Sequence, residues 1–164
     1  MMKNYFYNSK YKKFKNKSPH ELKNLNKKHQ VVIVGTGPIG LTLALELKRQ
    51  GIEPVVITRN DRIPEGSKAI CISRESMEIF QNLNAADEIE KVGLGWTNGN
   101  SFYKDKKVFE LKMPGSKNEK YKPMTNLQQS ILEEILLNEC INNKIDVRWE
   151  NIFIKIIENK NLVL

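Results

Sequence analysis

The stretch VVIVGTGPIGLTLALELKRQGIEPVVITRN, residues 31–60, decides how this chain is read. Val31–Val34 is a short apolar, β-branched run that stops at Gly35, and it reads as a strand buried on both faces. Leu41–Gln50 reads as a helix, with Leu41, Leu45 and Lys48 sharing one face and Gly51 supplying the stop. Val55–Thr58 reads as a second buried strand. Strand, glycine turn, helix and strand in about 30 residues make a βαβ unit, so the two strands should run parallel. The fold class expected is α/β, with a Rossmann-like βαβ nucleotide-binding fold.

The turn Gly35-Thr36-Gly37-Pro38-Ile39-Gly40 follows the GxGxxG order. Each glycine has a separate task in that motif. Gly35 permits the tight turn out of the strand. Gly37 lets backbone approach a pyrophosphate where a Cβ would intrude. Gly40 lets the helix lie close on the strand. The helix start then offers N–H groups without intrahelical partners, and the positive end of its dipole, to a diphosphate. The motif alone is common. Its place between a buried strand and a helix, with a second strand following, predicts a dinucleotide site.

The end of the second strand departs from the fingerprint. An acidic residue is expected there to hold the adenosine ribose. This chain has Thr58, followed by Arg59, Asn60 and Asp61. Thr58 can bond a ribose hydroxyl without a carboxylate's charge-assisted strength. Asp61 could reach back from the loop. Arg59 could read a 2′-phosphate or simply be solvated.

The net charge of +8 first suggests nucleic acid. Its location confines that suggestion to the N-terminal tail, which could touch RNA or membrane phosphates or be a solvated arm preceding the domain. Residues 1–30 hold nine Lys and one Glu, and the remainder of the 164 residues is balanced. The segment 1–29 is therefore read as a basic, mobile tail that cannot bury enough apolar surface to offset ordering entropy. No apolar run is long enough to span a membrane. Cys71 and Cys140 have no metal-type spacing, and both are expected to pack as reduced thiols in a cytoplasmic protein. His20 and His29 lie in or beside the tail, and no catalytic base or metal ligand stands out.

Beyond Thr58, Ser73 is positioned to cap a helix carrying Met77, Phe80 and Leu83 on one face. A shorter helix is expected at Ala85–Val92. The runs NSFY and KVFEL flank KDKK and predict a hairpin within an excursion over residues 95–124. Gln128–Asn142 is the next helix, and IDVRW alternates as a half-buried strand would. IFIKIIE and LVL around NKN suggest a last hairpin. Trp96 and Trp149 are read as packing residues.

The segments PEGSKAICISRESMEIF and TNLQQSILEEILLNECINN, taken with VVIVGTGPIGLTLALEL, resemble the FAD-dependent aromatic-ring hydroxylases. These are the para-hydroxybenzoate hydroxylase-like flavoprotein monooxygenases. The likeness is strongest to their phenol and 3-(3-hydroxyphenyl)propionate hydroxylase branch and runs over residues 29–157. The resemblance implies that Gly35, Thr36, Gly37, Pro38, Ile39 and Gly40 cradle the FAD pyrophosphate. Thr58 stands where the family has Asp or Glu. Lys68, in GSKAI, stands where it has an Arg, keeping the charge but losing the bidentate fork. Gln129, opening the Gln-x-x-Leu-Glu helix, would bond the diphosphate and ribityl region; Gln128 is the second choice.

In such enzymes NAD(P)H reduces the flavin, which reacts with O₂ and hydroxylates a small phenolic substrate. The resemblance thus implies FAD as cofactor, NAD(P)H as reductant, and neither nucleic acid nor membrane as partner. The family's later DG and GD segments do not occur in residues 1–164. Residues 30–164 are therefore expected to be the N-terminal part of an FAD-binding domain, truncated and inactive alone. Two alternatives stand beside this reading. One is a self-contained NAD(P)-binding Rossmann oxidoreductase, and the other a degenerate, non-catalytic dinucleotide-binding module.

Overall fold

A computed structural model of the chain describes residues 12–16, 18–19, 21, 28–65, 71–115, 118–159 and 162–163. Its principal sheet is built from β1 (Val31–Val34), β2 (Pro54–Ile57) and β8 (Asp146–Arg148), in the order β1-β2-β8. Both pairings are parallel, with Val32 opposite Val55 and Val56 opposite Val147. The helix α1 (Pro38–Arg49) connects β1 to β2, the crossover that neighbouring parallel strands need. It packs against α4 (Gln129–Asn142), the helix that precedes β8.

Between β2 and α4 the chain makes a long excursion. It holds β3 (Cys71–Ser73), α2 (Arg74–Asn82), α3 (Ala86–Val92), β4 (Leu94–Trp96), β5 (Asn98–Tyr103), β6 (Lys106–Lys112) and β7 (Met124–Asn126). β7 is the centre of a small antiparallel sheet, paired with β3 on one side and β4 on the other. β5 and β6 form the expected hairpin, with a register shift between Ser101 and Phe102. A last hairpin joins β9 (Glu158–Asn159) to β10 (Leu162–Val163).

One core unites these parts. Ile33 and Val56 from the sheet meet Leu41, Ala44 and Leu45 of α1 and Leu132, Leu136 and Cys140 of α4. Met77, Phe80 and Ile89 of α2 and α3 close it. Ser73 caps α2 as expected, its hydroxyl accepting from the Ser76 N–H at 3.3 Å. Such a cap is worth about 1 kcal/mol.

Several expectations need correction. β1 is not buried on both faces: Ile33 is 7% exposed, but Val32 and Val34 are 51% and 58% exposed. β1 lies at one edge of the described sheet, whereas β2 sits between two strands and buries both Val55 and Val56. An apolar run reports suitability for two-sided burial, not the presence of two covering layers. Residues 152–157, read as a strand, carry no regular structure, and only Glu158–Asn159 pairs. Cys140 is buried, and its desolvation pushes the thiol up to about 12. Cys71 is exposed rather than packed, because it lies at the outer face of a three-residue edge strand.

The basic arm also makes contacts that its Lys- and Asn-rich composition does not announce. The Phe14 ring stacks on Trp149 with centroids 4.2 Å apart and an 8° interplanar angle. Glu21 accepts from both terminal nitrogens of Arg148, at 2.8 and 3.0 Å, and pairs with His29. Arg148 and, secondarily, His29 hold the Glu21 carboxyl well below the usual carboxylate range. Among the described residues, no helix is long and apolar enough to cross a membrane.

Candidate dinucleotide site

The carboxyl ends of β1, β2 and β8 come together, and in open parallel sheets ligands bind outside such ends. A cavity of about 430 Å³ opens there. Its first wall is the turn Val34–Gly37. The second is Thr58, Arg59 and Asn60, just past β2. The third is Asn151, Ile152 and Phe153, just past β8, with Gln129 and Glu133 contributed by α4.

The three glycines of the turn differ in conformation and in what surrounds them. Gly35 has φ +115°, a conformation open to glycine and strained for residues with a Cβ. A Cβ on Gly40 would fall 2.2 Å from the Gly35 carbonyl oxygen and 3.3 Å from Ile33 Cγ2. The helix can approach the strand there only without a side chain. Gly37 differs from both: a Cβ on it would meet nothing nearer than Glu133 Oε1, at 4.0 Å. That position faces open space beside the start of α1, where Pro38 occupies the first turn and no acidic residue is present. The arrangement suits a diphosphate, which needs room and N–H donors.

Six of the predicted residues thus line one cavity: Gly35, Thr36, Gly37, Thr58, Arg59 and Gln129. Pro38 and Ile39 line a neighbouring, more apolar cavity of about 410 Å³, with Ile72, Phe80 and Leu132. Gln129 lies on the partition and lines both. Its Nε2 donates to Glu133 Oε1 at 2.7 Å, so one end of the amide is already committed. Gln128 is exposed, precedes the helix and lines neither. Lys68 falls outside the described residues.

Thr58 is buried, and its hydroxyl oxygen accepts from the Asn60 N–H at 3.3 Å, leaving its own proton to donate. Asp61 does not reach back into the cavity. Arg62 grips it at 2.9 and 3.1 Å and Lys13 at 3.1 Å, and together, Arg62 foremost, they depress its pKa. Arg59 remains exposed on the cavity wall.

Sequence reasoning missed Glu133 and the Asn151–Phe153 wall. Glu133 had a signal, since it lies four residues after Gln129 on one helix and so shares its face. The other wall had none: only the pairing of β8 with β2 brings it beside Thr58, where the Asn151 N–H donates to the Thr58 carbonyl at 2.8 Å.

This geometry agrees with the comparisons. The family model described as an FAD binding domain matches residues 28–163. The chain belongs to this family. As an FAD binding domain it has relatives among named oxygenases. It is 38% identical over 64 residues to the FAD-dependent monooxygenase apdD of Emericella nidulans, a match covering 39% of this chain and 10% of apdD. It is 37% identical over 59 residues to the 3-(3-hydroxy-phenyl)propionate/3-hydroxycinnamic acid hydroxylase of Mycolicibacterium smegmatis, covering 36% of this chain and 10% of that protein. The matches thus span only about a tenth of these relatives' length. Among solved structures, the flavin-dependent monooxygenase PieE, in complex with FAD and substrate, superposes with a TM-score of 0.72 at 24% identity. That match covers 84% of this FAD binding domain and 26% of PieE. The p-nitrophenol 4-monooxygenase PnpA of Pseudomonas putida gives 0.72 at 18% identity, covering 81% and 34%. At these identities the likeness is one of fold.

Proposed function

We propose that this FAD binding domain holds the ADP half of FAD for an NAD(P)H-dependent monooxygenase acting on small phenolic substrates. The observation that carries the reading is the empty space at Gly37, beside the start of α1 and within the cavity that Thr58 and Gln129 also line. Gly35–Gly37 and the start of α1 would receive the diphosphate. Thr58 would donate to the adenosine ribose, and Arg59 would add a positive side chain to that wall. Gln129 stands between the two cavities, where one cofactor extended through both would pass it. Lys68 is assigned to the phosphates by resemblance alone. The relatives named as FAD-dependent monooxygenases support the reaction class, and those named as hydroxyphenylpropionate hydroxylases support the aromatic substrate.

Bound FAD would supply the redox chemistry, and this chain's residues would bind and orient it. Catalysis also needs the ring held rigidly in a dry cavity, since a displacement of about 1 Å can cost on the order of a hundredfold. The excursion over residues 95–124 is assigned to the edge of a substrate domain. Its β5–β6 hairpin leaves Phe102, Tyr103, Val108 and Phe109 exposed.

Two measurements test the proposal on the 164-residue chain. Calorimetry with FAD, ADP and NADPH should show FAD and ADP binding with similar affinity, and NADPH more weakly. Incubation with FAD, NADPH and a panel of phenols should consume NADPH slowly and yield hydrogen peroxide without hydroxylated product. Failure to bind ADP would sink the cofactor assignment. Catechol formed in step with NADPH consumption would show that the ring site is complete within these residues.

A further inference from the structure

None of the described residues of the arm before β1 lines the cavity. They nevertheless bind residues that flank two of its walls, Asp61 after Asn60 and Arg148–Glu150 before Asn151. We propose that Lys13, Phe14, Asn16 and Glu21 form a brace that positions the ribose end of the nucleotide cavity. The proposal rests on the dinucleotide reading of that cavity.

The two walls are first tied to each other. The Thr58 N–H donates to the Arg148 carbonyl at 3.0 Å, and the Glu150 N–H donates to the Asn60 carbonyl at 3.0 Å. The arm then binds both from outside. The Phe14 N–H donates to the Asp61 carbonyl at 2.7 Å, directly after Asn60. Asn16 Nδ2 donates to the Glu150 carbonyl at 3.3 Å, directly before Asn151. The Phe14 ring lies flat on Trp149, so one residue grips the β2 loop by its backbone and the β8 loop by its ring.

These contacts differ in weight. Lys13–Asp61 is an exposed pair, with the Lys13 side chain 66% exposed, and contributes little. The stacked rings and the two-pronged Glu21–Arg148 pair contribute more, because Trp149 and Arg148 are both buried and the Arg fork fits a carboxylate. Arg148 is further fixed by Asp146, at 2.8 and 2.9 Å, so the Glu21 anchor rests on a rigid part of β8.

A brace of this kind acts through preorganisation. With it, Thr58, Arg59 and Asn60 are held before the nucleotide arrives. Without it, binding must also order them. The effect should fall on ligands that carry the ribose and spare those that occupy only the glycine turn, which no described arm residue touches. Lys13, Phe14, Asn16 and Glu21 are thus positioning residues.

The test uses the full 164-residue chain, with Phe14→Ala and Glu21→Gln. The probes are ADP and inorganic pyrophosphate by calorimetry, and hydrogen exchange of segments 58–62 and 148–152 without ligand. The brace predicts that Phe14→Ala weakens ADP about fivefold and leaves pyrophosphate unchanged. It also predicts faster exchange in both segments, and recovery of the wild-type values in Phe14→Tyr, which keeps the stacking ring. Glu21→Gln, which leaves the Phe14 stack in place, should move ADP in the same direction by less. Equal weakening of ADP and pyrophosphate would overturn the proposal, since it would mark a general loss of structure. Unchanged exchange in Phe14→Ala would overturn it whatever the ligands do. If the wild-type chain binds neither ADP nor pyrophosphate, the dinucleotide reading falls. Faster exchange in Phe14→Ala would then mark the arm as packing alone, and its role in recognition would be lost.

Discussion

Gly37→Val should lower the affinity for FAD and for ADP by about a hundredfold or more, equivalent to roughly 2.7 kcal/mol, while leaving the fold intact. The physical basis is the space at this residue. A Cβ there has only Glu133 Oε1 at 4.0 Å for a neighbour, so the protein itself tolerates an added side chain. The two methyl groups of Val would then stand where the diphosphate must come. Gly37 has φ −75° and ψ 177°, an extended conformation that any residue adopts. Backbone strain therefore plays no part, and the loss of binding comes wholly from occupied space. Val is a poorer helix cap than Gly, which should cost the start of α1 less than about 1 kcal/mol. Calorimetry on wild type and variant, paired with thermal melts, checks both halves. Equal affinities would mean that Gly37 serves no ligand.

Gly40→Ala should do the reverse and damage the fold itself. The new Cβ would sit 2.2 Å from the Gly35 carbonyl oxygen, which is backbone and cannot rotate aside. α1 would have to move off β1, opening the contacts that Ile33 makes in the core. Overpacking commonly costs 1–3 kcal/mol, and a backbone clash this close belongs at or above about 3 kcal/mol. For a chain of this size the melting temperature should fall by roughly 10 °C. Circular dichroism on heating reads this directly. A shift of less than about 2 °C would show that the helix repositions freely and that Gly40 is not a packing residue. The two glycines lie three positions apart in one turn, yet one substitution should be read in a titration and the other in a melt.

The glycine turn was legible because its signals are local. A β-branched run, glycines at fixed spacing and a helical period all lie within Val31–Asn60, and the β1-α1-β2 unit forms from them. α2 was legible from its Ser73 cap and the Met77–Phe80 face, and the β5–β6 hairpin from its flanking runs. The sheet β3-β7-β4 was not. Its strands are three residues each, too short to display a period of two, and they are held by partners more than 20 residues away. The apolar run at residues 152–157 misled for a related reason. Hydrophobicity says that a segment would gain from a partner, and only tertiary structure says whether one is adjacent. The same limit applies at the site. Thr58 could be found by counting from the glycines and Gln129 by resemblance. Asn151 and the bracing arm could be found only once β8 was known to lie beside β2. Phe14 is one of several aromatic residues in a Lys-rich stretch, and nothing in that stretch signals the ring it stacks on.

The order of the strands also sets a sequence of events for the chain as it folds. β1 pairs with β2 across a single helix, whereas β2 waits for β8, whose partner residue for Val56 is Val147. The closure of so long a loop is entropically unfavourable and rewards the chain only at the end. Until α4 and β8 arrive, Val55 and Val56 lack a strand on one side, and Leu41 and Leu45 lack the helix they pack on. The first third of the molecule is thus expected to acquire helix early and lasting order late. Trp149 lies directly after β8 and is buried only when the sheet is complete. In refolding of a Trp96→Phe variant, Trp149 fluorescence should therefore trail the far-ultraviolet signal of helix formation. Coincident traces would mean that near and distant pairings form in one step. A growing polypeptide would cross this interval on the ribosome with its glycine turn already made and its apolar strand still bare, exposed to misassociation for the time it takes to build some ninety more residues.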